Sequence, residues 1–289
     1  MPSDVIQLLV GGLLLGGIYG LAAFGLSISF GVLNVLNLAH GEFLMLGSLA
    51  AYSAFVTLGI NPFLGAVLVI PVFFVIGVGF YFLLLKPIGD RPHDQMLTAS
   101  ILTTLGASLA IEDLTSFFWE RPVTGIAYSL TPLTVGGVVV SSLRLSILVF
   151  ICALAVALRL FLKRTFMGKA IRAVTQSRDG AGIVGIPIHT VSAFTFGLGA
   201  ALAASAGVFY ATLFTVTPSM GIPLTVKYLC VVVLGGLGSL VGSVVGGLIL
   251  GLAETLTAHF VGAQWSPCVA FVLLTVLLII KPSGLFGAR

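Results

Sequence analysis

Charge is what this sequence has least of. Lys and Arg number 13 and Asp and Glu 9, so charged residues make up 8% of the 289, against roughly 25% in an ordinary soluble domain. With 58% hydrophobic residues and a mean hydropathy of +1.21, this scarcity excludes a soluble enzyme, a disordered tail and a nucleic-acid binder. The net charge of +4 is then orientation information, because basic residues gather on the cytoplasmic side of membrane proteins. Cysteine is scarce as well. Cys152, Cys230 and Cys268 lie far apart in apolar runs, with no second Cys or His at ligand spacing, and read as small packing residues. A secretory signal is not expected either: residues 1–30 carry Asp4 and no Lys or Arg, and the apolar stretch is too long for a cleaved segment.

Catalytic signatures are missing throughout. There is no G-x-x-x-x-G-K-[ST] phosphate loop, no H-E-x-x-H and no G-x-S-x-G, so neither catalytic residues nor a metal is expected. His40-Gly41-Glu42 matches the H-x-E half of a zinc deaminase signature, but the required P-C-x-x-C is absent. Gly236-Leu-Gly238-Ser-Leu-Val-Gly242 has the wrong spacing for a dinucleotide loop and no preceding β unit.

What the sequence has is long apolar runs. A helix needs about 20 such residues to cross a bilayer core, and cutting at polar and Pro/Gly clusters leaves candidates near 5–30, 42–59, 63–85, 95–119, 143–162, 187–216, 223–236, 239–258 and 264–280. The fold class is therefore all-α, a polytopic transmembrane bundle of eight or nine helices in a single domain, 1–289. Arg159, Lys163, Arg164, Lys169, Arg172 and Arg178 are opposed only by Asp179, which makes the loop 163–187 cytoplasmic. Counting outward puts the turn 86–94 (Lys86, Asp90, Arg91, Asp94) inside, 120–142 outside, the N-terminus outside, and Lys281 and Arg289 inside if 223–258 crosses twice. Residues 223–236 measure only about 21 Å as a helix before the Gly235–Ser239 break, and read as either a short tilted span or a re-entrant half-helix. The polar break from Asn34 to Glu42 is its counterpart in the first half. Two interrupted helices point to a transport pathway, although a simple cytoplasmic turn also fits the first.

Glycine recurs every four residues at Gly12, Gly16 and Gly20, at Gly238, Gly242 and Gly246, and with alanine at Gly199, Ala203 and Gly207. Such stripes bare the helix backbone and let another helix approach closely; Gly235 and Gly236 are counted with them as packing positions. Asn34, Asn37, His40 and Glu42 are the polar candidates at the first break. They read as caps, with Asn37 or His40 satisfying the N–H groups of the helix that starts at Gly41, or as groups facing a pathway. Glu112, Asp113, Glu120 and Arg121, with Lys227, Glu254 and His259, would form an external vestibule of both signs, with Lys227 and Arg144 snorkelling to the interface.

Within 163–187, Met167, Ala170, Ile171 and Val174 fall on one helical face, and Lys169, Arg172, Thr175 and Gln176 on the other. A basic amphipathic segment of this kind covers the bundle, lies on anionic lipid or docks into a soluble partner.

Four motifs in order complete the reading: Gly12-Leu-Leu-Leu-Gly16-Gly17-Ile18-Tyr19-Gly20-Leu21-Ala22; Asn37-Leu-Ala-His40-Gly41-Glu42-Phe43-Leu-Met-Leu-Gly47; Gly168-Lys-Ala-Ile-Arg172-Ala173 through Ala181-Gly-Ile-Val-Gly185-Ile186; and Gly235-Gly-Leu-Gly238-Ser239 with Gly242. Together they resemble the inner-membrane permeases of branched-chain amino acid ABC importers, the LivH/LivM family, over almost the whole chain and more in the LivH manner. The resemblance implies a bacterial or archaeal multi-pass inner-membrane subunit that carries branched-chain or other hydrophobic amino acids, or in some members urea, short amides or aromatic acids. It implies a heterodimer with a second, LivM-type permease, substrate delivery by a periplasmic substrate-binding protein, and two cytoplasmic ABC ATPases that hold the ATP and Mg, this chain binding no cofactor. By the same resemblance 165–186 is the segment that contacts the ATPase, with Met167, Gly168, Lys169, Ile171, Arg172, Val174, Arg178 and Asp179 as coupling residues. The pair Glu112-Asp113 and the exit Trp119-Glu120-Arg121 depart from the family's usual look. Readings of another class are an ion-coupled secondary transporter with His40 and Glu42 as a proton relay, and a membrane scaffold.

Overall fold

The computed structural model describes residues 2–89, 93–119, 122, 125–135 and 138–287. Asp90, Arg91, Glu120, Arg121 and Arg289 lie outside the described residues. Among those described, nine helices are long and apolar enough to cross a membrane, in agreement with the run lengths. They are α1 (Pro2–Leu33), α2 (His40–Leu58), α3 (Pro62–Phe80, extended by a wider turn, Tyr81–Leu85), α4 (His93–Phe118), α5 (Ser142–Arg164), α8 (Ile188–Tyr210), α9 (Gly221–Gly235), α10 (Leu240–Phe260) and α11 (Ser266–Ile280). Two short helices, α6 (Phe166–Gln176) and α7 (Arg178–Ile183), fill the basic loop. A small antiparallel hairpin, β1 (Leu133–Val135) and β2 (Val138–Val140), precedes α5.

Several helices, α3, α5, α6, α7 and α10, start where a short polar side chain takes up a free N–H group, as an apolar environment favours. Asn61 accepts from Leu64 N–H at 2.8 Å with Pro62 in the first turn of α3, Thr165 from Gly168 N–H at 3.0 Å, Ser177 from Gly180 N–H at 3.1 Å and Ser239 from Gly242 N–H at 3.1 Å. A 3-10 turn, Pro218–Met220, precedes α9 and lengthens the apolar rod to the 18 residues Pro218–Gly235. That is about 27 Å, which answers the shortness of 223–236.

Glycine sets the packing. A Cβ at Gly16 would stand 2.6 Å from Leu248 Cα, and one at Gly12 or Gly20 would stand 3.0 Å from Leu252 Cα or 3.2 Å from Val244 Cα. The stripe on α1 therefore lies antiparallel against α10, whose Gly247 and Gly251 answer it. Helix α8 is the centre of the bundle, 89% of its span buried against 6% for α11. It meets α1 at Gly25 and Gly199, α2 at Gly47, where a Cβ would stand 2.5 Å from Ala204 Cα, and α3 at Gly77, 2.8 Å from Gly197 Cα. Gly235 packs on Gly242, and Gly246 on the Val231 carbonyl.

Gly236 packs as expected, a Cβ there standing 2.4 Å from the Gly287 nitrogen, whereas Gly238 differs from the packing expectation. Gly236 and Gly238 lie in the turn between α9 and α10 with φ of 103° and 77°. A Cβ at Gly238 would meet nothing nearer than Gly31 Cα at 3.9 Å, so its need for glycine comes from left-handed backbone and not from close approach. The cysteines differ too: only Cys230 is buried, while Cys152 and Cys268 are exposed on the outer surfaces of α5 and α11.

The first break is not a surface turn. Asn34, with φ 53°, ends α1, and the segment then runs back beside it until His40 Nε2 reaches the Ala22 carbonyl at 2.9 Å, about 16 Å up α1 from Leu33 at 1.5 Å per residue. Val35, Asn37, Ala39, His40, Gly41 and Glu42 are all buried. Helix α2 thus begins inside the bundle, where irregular backbone survives only because other helices surround it.

Candidate functional site

The start of α2 gathers polar groups from four helices. Asn37 Oδ1 accepts from Ala39 N–H at 3.0 Å, so it closes the turn just before the helix. The Leu38 N–H donates to Thr104 Oγ1 of α4 at 3.1 Å. The first turn of α2 is capped from outside its own segment: Gly41 N–H donates to Thr225 Oγ1 of α9 at 2.7 Å, and the Thr225 hydroxyl donates to the Gly221 carbonyl at 3.0 Å. His40 is not a cap. A carbonyl only accepts, so its Nε2 carries the proton given to Ala22. Glu42 is fully buried, with Oε1 accepting from Ser108 at 2.7 Å and Oε2 without a hydrogen-bond partner among the described residues. A side chain at Gly221 would overlap the Glu42 carboxylate, which explains glycine at the first residue of α9. Asn34 is exposed and takes no part in this cluster.

Thr225→Val keeps the shape and removes the cap. Leaving Gly41 N–H buried and unpaired is expected to cost about 1–3 kcal/mol, seen as a lower melting temperature of the detergent-solubilised protein, with Thr225→Ser near wild type. Equal melting of the Val variant and the wild type would remove the cap from the account of this break.

A second group lies alongside. Lys227 of α9 and Glu254 of α10 form an ion pair, Nζ to Oε1 3.0 Å, with the carboxylate side chain only 3% exposed. Tyr19 of α1 joins both: its hydroxyl donates to Glu254 Oε2 at 2.8 Å and accepts from Lys227 Nζ at 3.1 Å, and its ring lies 4.9 Å beneath the ammonium. Tyr228 connects the two groups, its ring 6.1 Å from that of Tyr19 and edge-on to His40 at 6.4 Å. Lys227 therefore does not snorkel, because an opposite charge and a phenol are within reach inside the bundle. Of the expected vestibule, Lys227 and Glu254 come together, whereas His259 packs on Phe260 and Asp113 is exposed. Tyr19, Thr104, Ser108, Thr225 and Tyr228 are the members that the sequence analysis missed. Each is an unremarkable polar residue in an apolar run until the helices are assembled.

The basic loop is the third element. Gly168, Ala170, Ile171 and Val174 are buried on the inner face of α6, with Met167 packed half-buried beside them. A Cβ at Gly168 would stand 2.5 Å from Leu162 Cα, so α6 is pressed onto the end of α5. Lys169, Arg172 and Asp179 point outward. Arg178 turns back toward Gly89, which lies below α3. The outer surface also carries Phe166, Ile183 and Val184, 83%, 87% and 74% exposed, an apolar set not singled out from the sequence. Among the described residues no three His, Cys, Asp or Glu side chains assemble as a metal site.

The profile of the family described as branched-chain amino acid transport system / permease component matches residues 8–280. The chain is 30% identical to the high-affinity branched-chain amino acid transport system permease protein BraD of Pseudomonas aeruginosa, over 98% of this chain and 95% of that one. It is 29% identical to the corresponding permease protein LivH of Escherichia coli K12, again over 98% and 95%. Among solved structures, PsaBC from Streptococcus pneumoniae in complex with Fab shares the fold at a TM-score of 0.50 and 11% identity, over 96% of this chain and 92% of that one.

Proposed function

The chain belongs to the branched-chain amino acid transport permease family, a multi-pass membrane subunit of an ABC importer and not itself an enzyme, and from that premise we propose how it works and what it carries. The substrate is a branched-chain or other hydrophobic amino acid, handed over by a periplasmic substrate-binding protein. A second, LivM-type permease completes the pathway, and two ABC ATPases bind the ATP and Mg on the cytoplasmic side. The N-terminus is outside and the C-terminus inside, a reading supported by the basic residues of 163–187. The observation that carries the reading is the two-faced loop: α6 is locked to α5 and the bundle through Gly168, Ile171 and Val174, while Phe166, Lys169, Ile183 and Val184 are left on the outside. ATPase closure moves this surface, and the Gly-packed helices transmit the motion as a rigid body, so the two states differ in which side the pathway opens to. The break at Asn37–Glu42 and the Tyr19–Lys227–Glu254 group border that pathway. The proton-relay alternative loses its support, because His40 and Glu42 are held separately by the Ala22 carbonyl and by Ser108.

The test is isolation of the tagged chain from its native membrane in mild detergent, followed by ATPase assay with candidate binding protein and amino acids. Two ATPases and a second permease are expected to co-purify, with hydrolysis stimulated by the binding protein loaded with leucine, isoleucine or valine. Recovery of this chain alone, with uptake abolished by uncouplers, would replace the importer with an ion-coupled transporter.

A further inference from the structure

At the end of the bundle that carries α6, a groove of about 460 Å³ opens between α1, α5 and α10. Its walls are apolar, formed by Ala155, Val156, Val241, Val244 and Val245 over Phe24. Its rim is basic: Arg159, Lys163 and Arg172 are exposed there, and none of the three forms an ion pair with a described residue. Through Leu162 and Arg172 the groove adjoins a second cavity of about 230 Å³ lined by Thr175, Gln176 and Ser27. The Ser27 hydroxyl is fully buried there without a hydrogen-bond partner among the described residues.

We propose that this groove holds one anionic phospholipid, its acyl chain along the α5–α10 wall and its phosphate on Arg159, Lys163 and Arg172. The chemistry of the site selects both halves of such a molecule. A free phosphate would meet the cations but leave the valine wall empty, and an uncharged lipid would fill the wall but leave three cations without an opposite charge among the described residues. Arg159 and Lys163 lie in the last two turns of α5, the level at which a headgroup sits when the chain spans the membrane, and basic pockets between transmembrane helices at this level take acidic headgroups. The adjoining cavity offers Ser27, Thr175 and Gln176 to the hydroxyl groups of the headgroup. Because α6 supplies Arg172 and α5 the other two cations, the lipid bridges the loop to the bundle.

The experiment is quantitative lipid mass spectrometry on the complex purified through delipidating detergent washes, compared with the bulk membrane. Wild type is expected to retain an anionic phospholipid in enrichment, and to lose it in high salt as the headgroup contact is screened. Arg159→Gln with Lys163→Gln should weaken retention about 25-fold, at about fivefold per basic residue. Val245→Trp, which fills the groove and leaves every cation in place, should release the lipid as well; it keeps the test decisive if the double variant fails to assemble. No enrichment in wild type, or equal retention in the wild type and Val245→Trp, would overturn the proposal. So would quantitative crosslinking of Val156→Cys to the second permease, which would make the groove a subunit interface. None of these outcomes depends on which amino acid is transported.

Discussion

Replacing Lys227 by Met is expected to destabilise the protein by about 3–5 kcal/mol, the cost of leaving one member of a buried ion pair without its partner. Glu254 is 3% exposed, and with Lys227 gone the Tyr19 hydroxyl at 2.8 Å would be the one hydrogen-bond donor left to its carboxylate among the described residues. Tyr19 alone satisfies one oxygen of two. The double variant Lys227→Met with Glu254→Gln removes both charges together, leaves an amide that still accepts from Tyr19, and should recover most of the loss. Comparison of melting temperatures for wild type, both single variants and the double variant measures the coupling directly. A single variant as stable as wild type, or a double variant no better than Lys227→Met, would show that the pair contributes nothing to holding the three helices together.

That pair also marks how far the sequence could be read. The spans were legible because the bilayer dictates their length and leaves the chain little choice but helix. Lys227 was misread because its partners lie 27 and 208 positions away, across a turn in one case and at the opposite end of the chain in the other. Run lengths carry no information on which helices become neighbours. The glycine stripe of α1 shows the contrast: Gly12, Gly16 and Gly20 sit on one continuous helix, so their spacing alone defined a packing face, and α10 occupies it. The same spacing from Gly238 to Gly242 crosses a helix start at Leu240, where a period of four has no geometric meaning. At the break, the polar residues announced an interruption, but its cap, Thr225, belongs to another helix. In the basic loop, periodicity exposed the inner face of α6 because burial imposes it, whereas Ile183 and Val184 lie beyond the periodic stretch, between it and the span from 187. Only their exposure in the folded chain distinguishes them from core residues.

Those two residues give the prediction with the largest functional effect. Ile183→Asp with Val184→Asp is expected to abolish uptake and substrate-stimulated ATP hydrolysis while leaving membrane insertion and melting temperature unchanged. The argument rests on where the side chains are. At 87% and 74% exposure they support nothing in the chain itself, so carboxylates there cost little in folding. In a docked complex they become apolar anchors, each worth about 2 kcal/mol as an interface hot spot, so losing both weakens docking on the order of a thousandfold. Two buried carboxylates without partners would weaken it further. The inner-face residues cannot supply so clean a result: any side chain at Gly168 would push α6 away from Leu162, and a loss of transport would then report on packing. Normal uptake by the double Asp variant would remove this end of α7 from the proposed ATPase contact. Loss of uptake together with loss of the co-purifying ATPase, in a protein that melts like wild type, would place the contact on this surface.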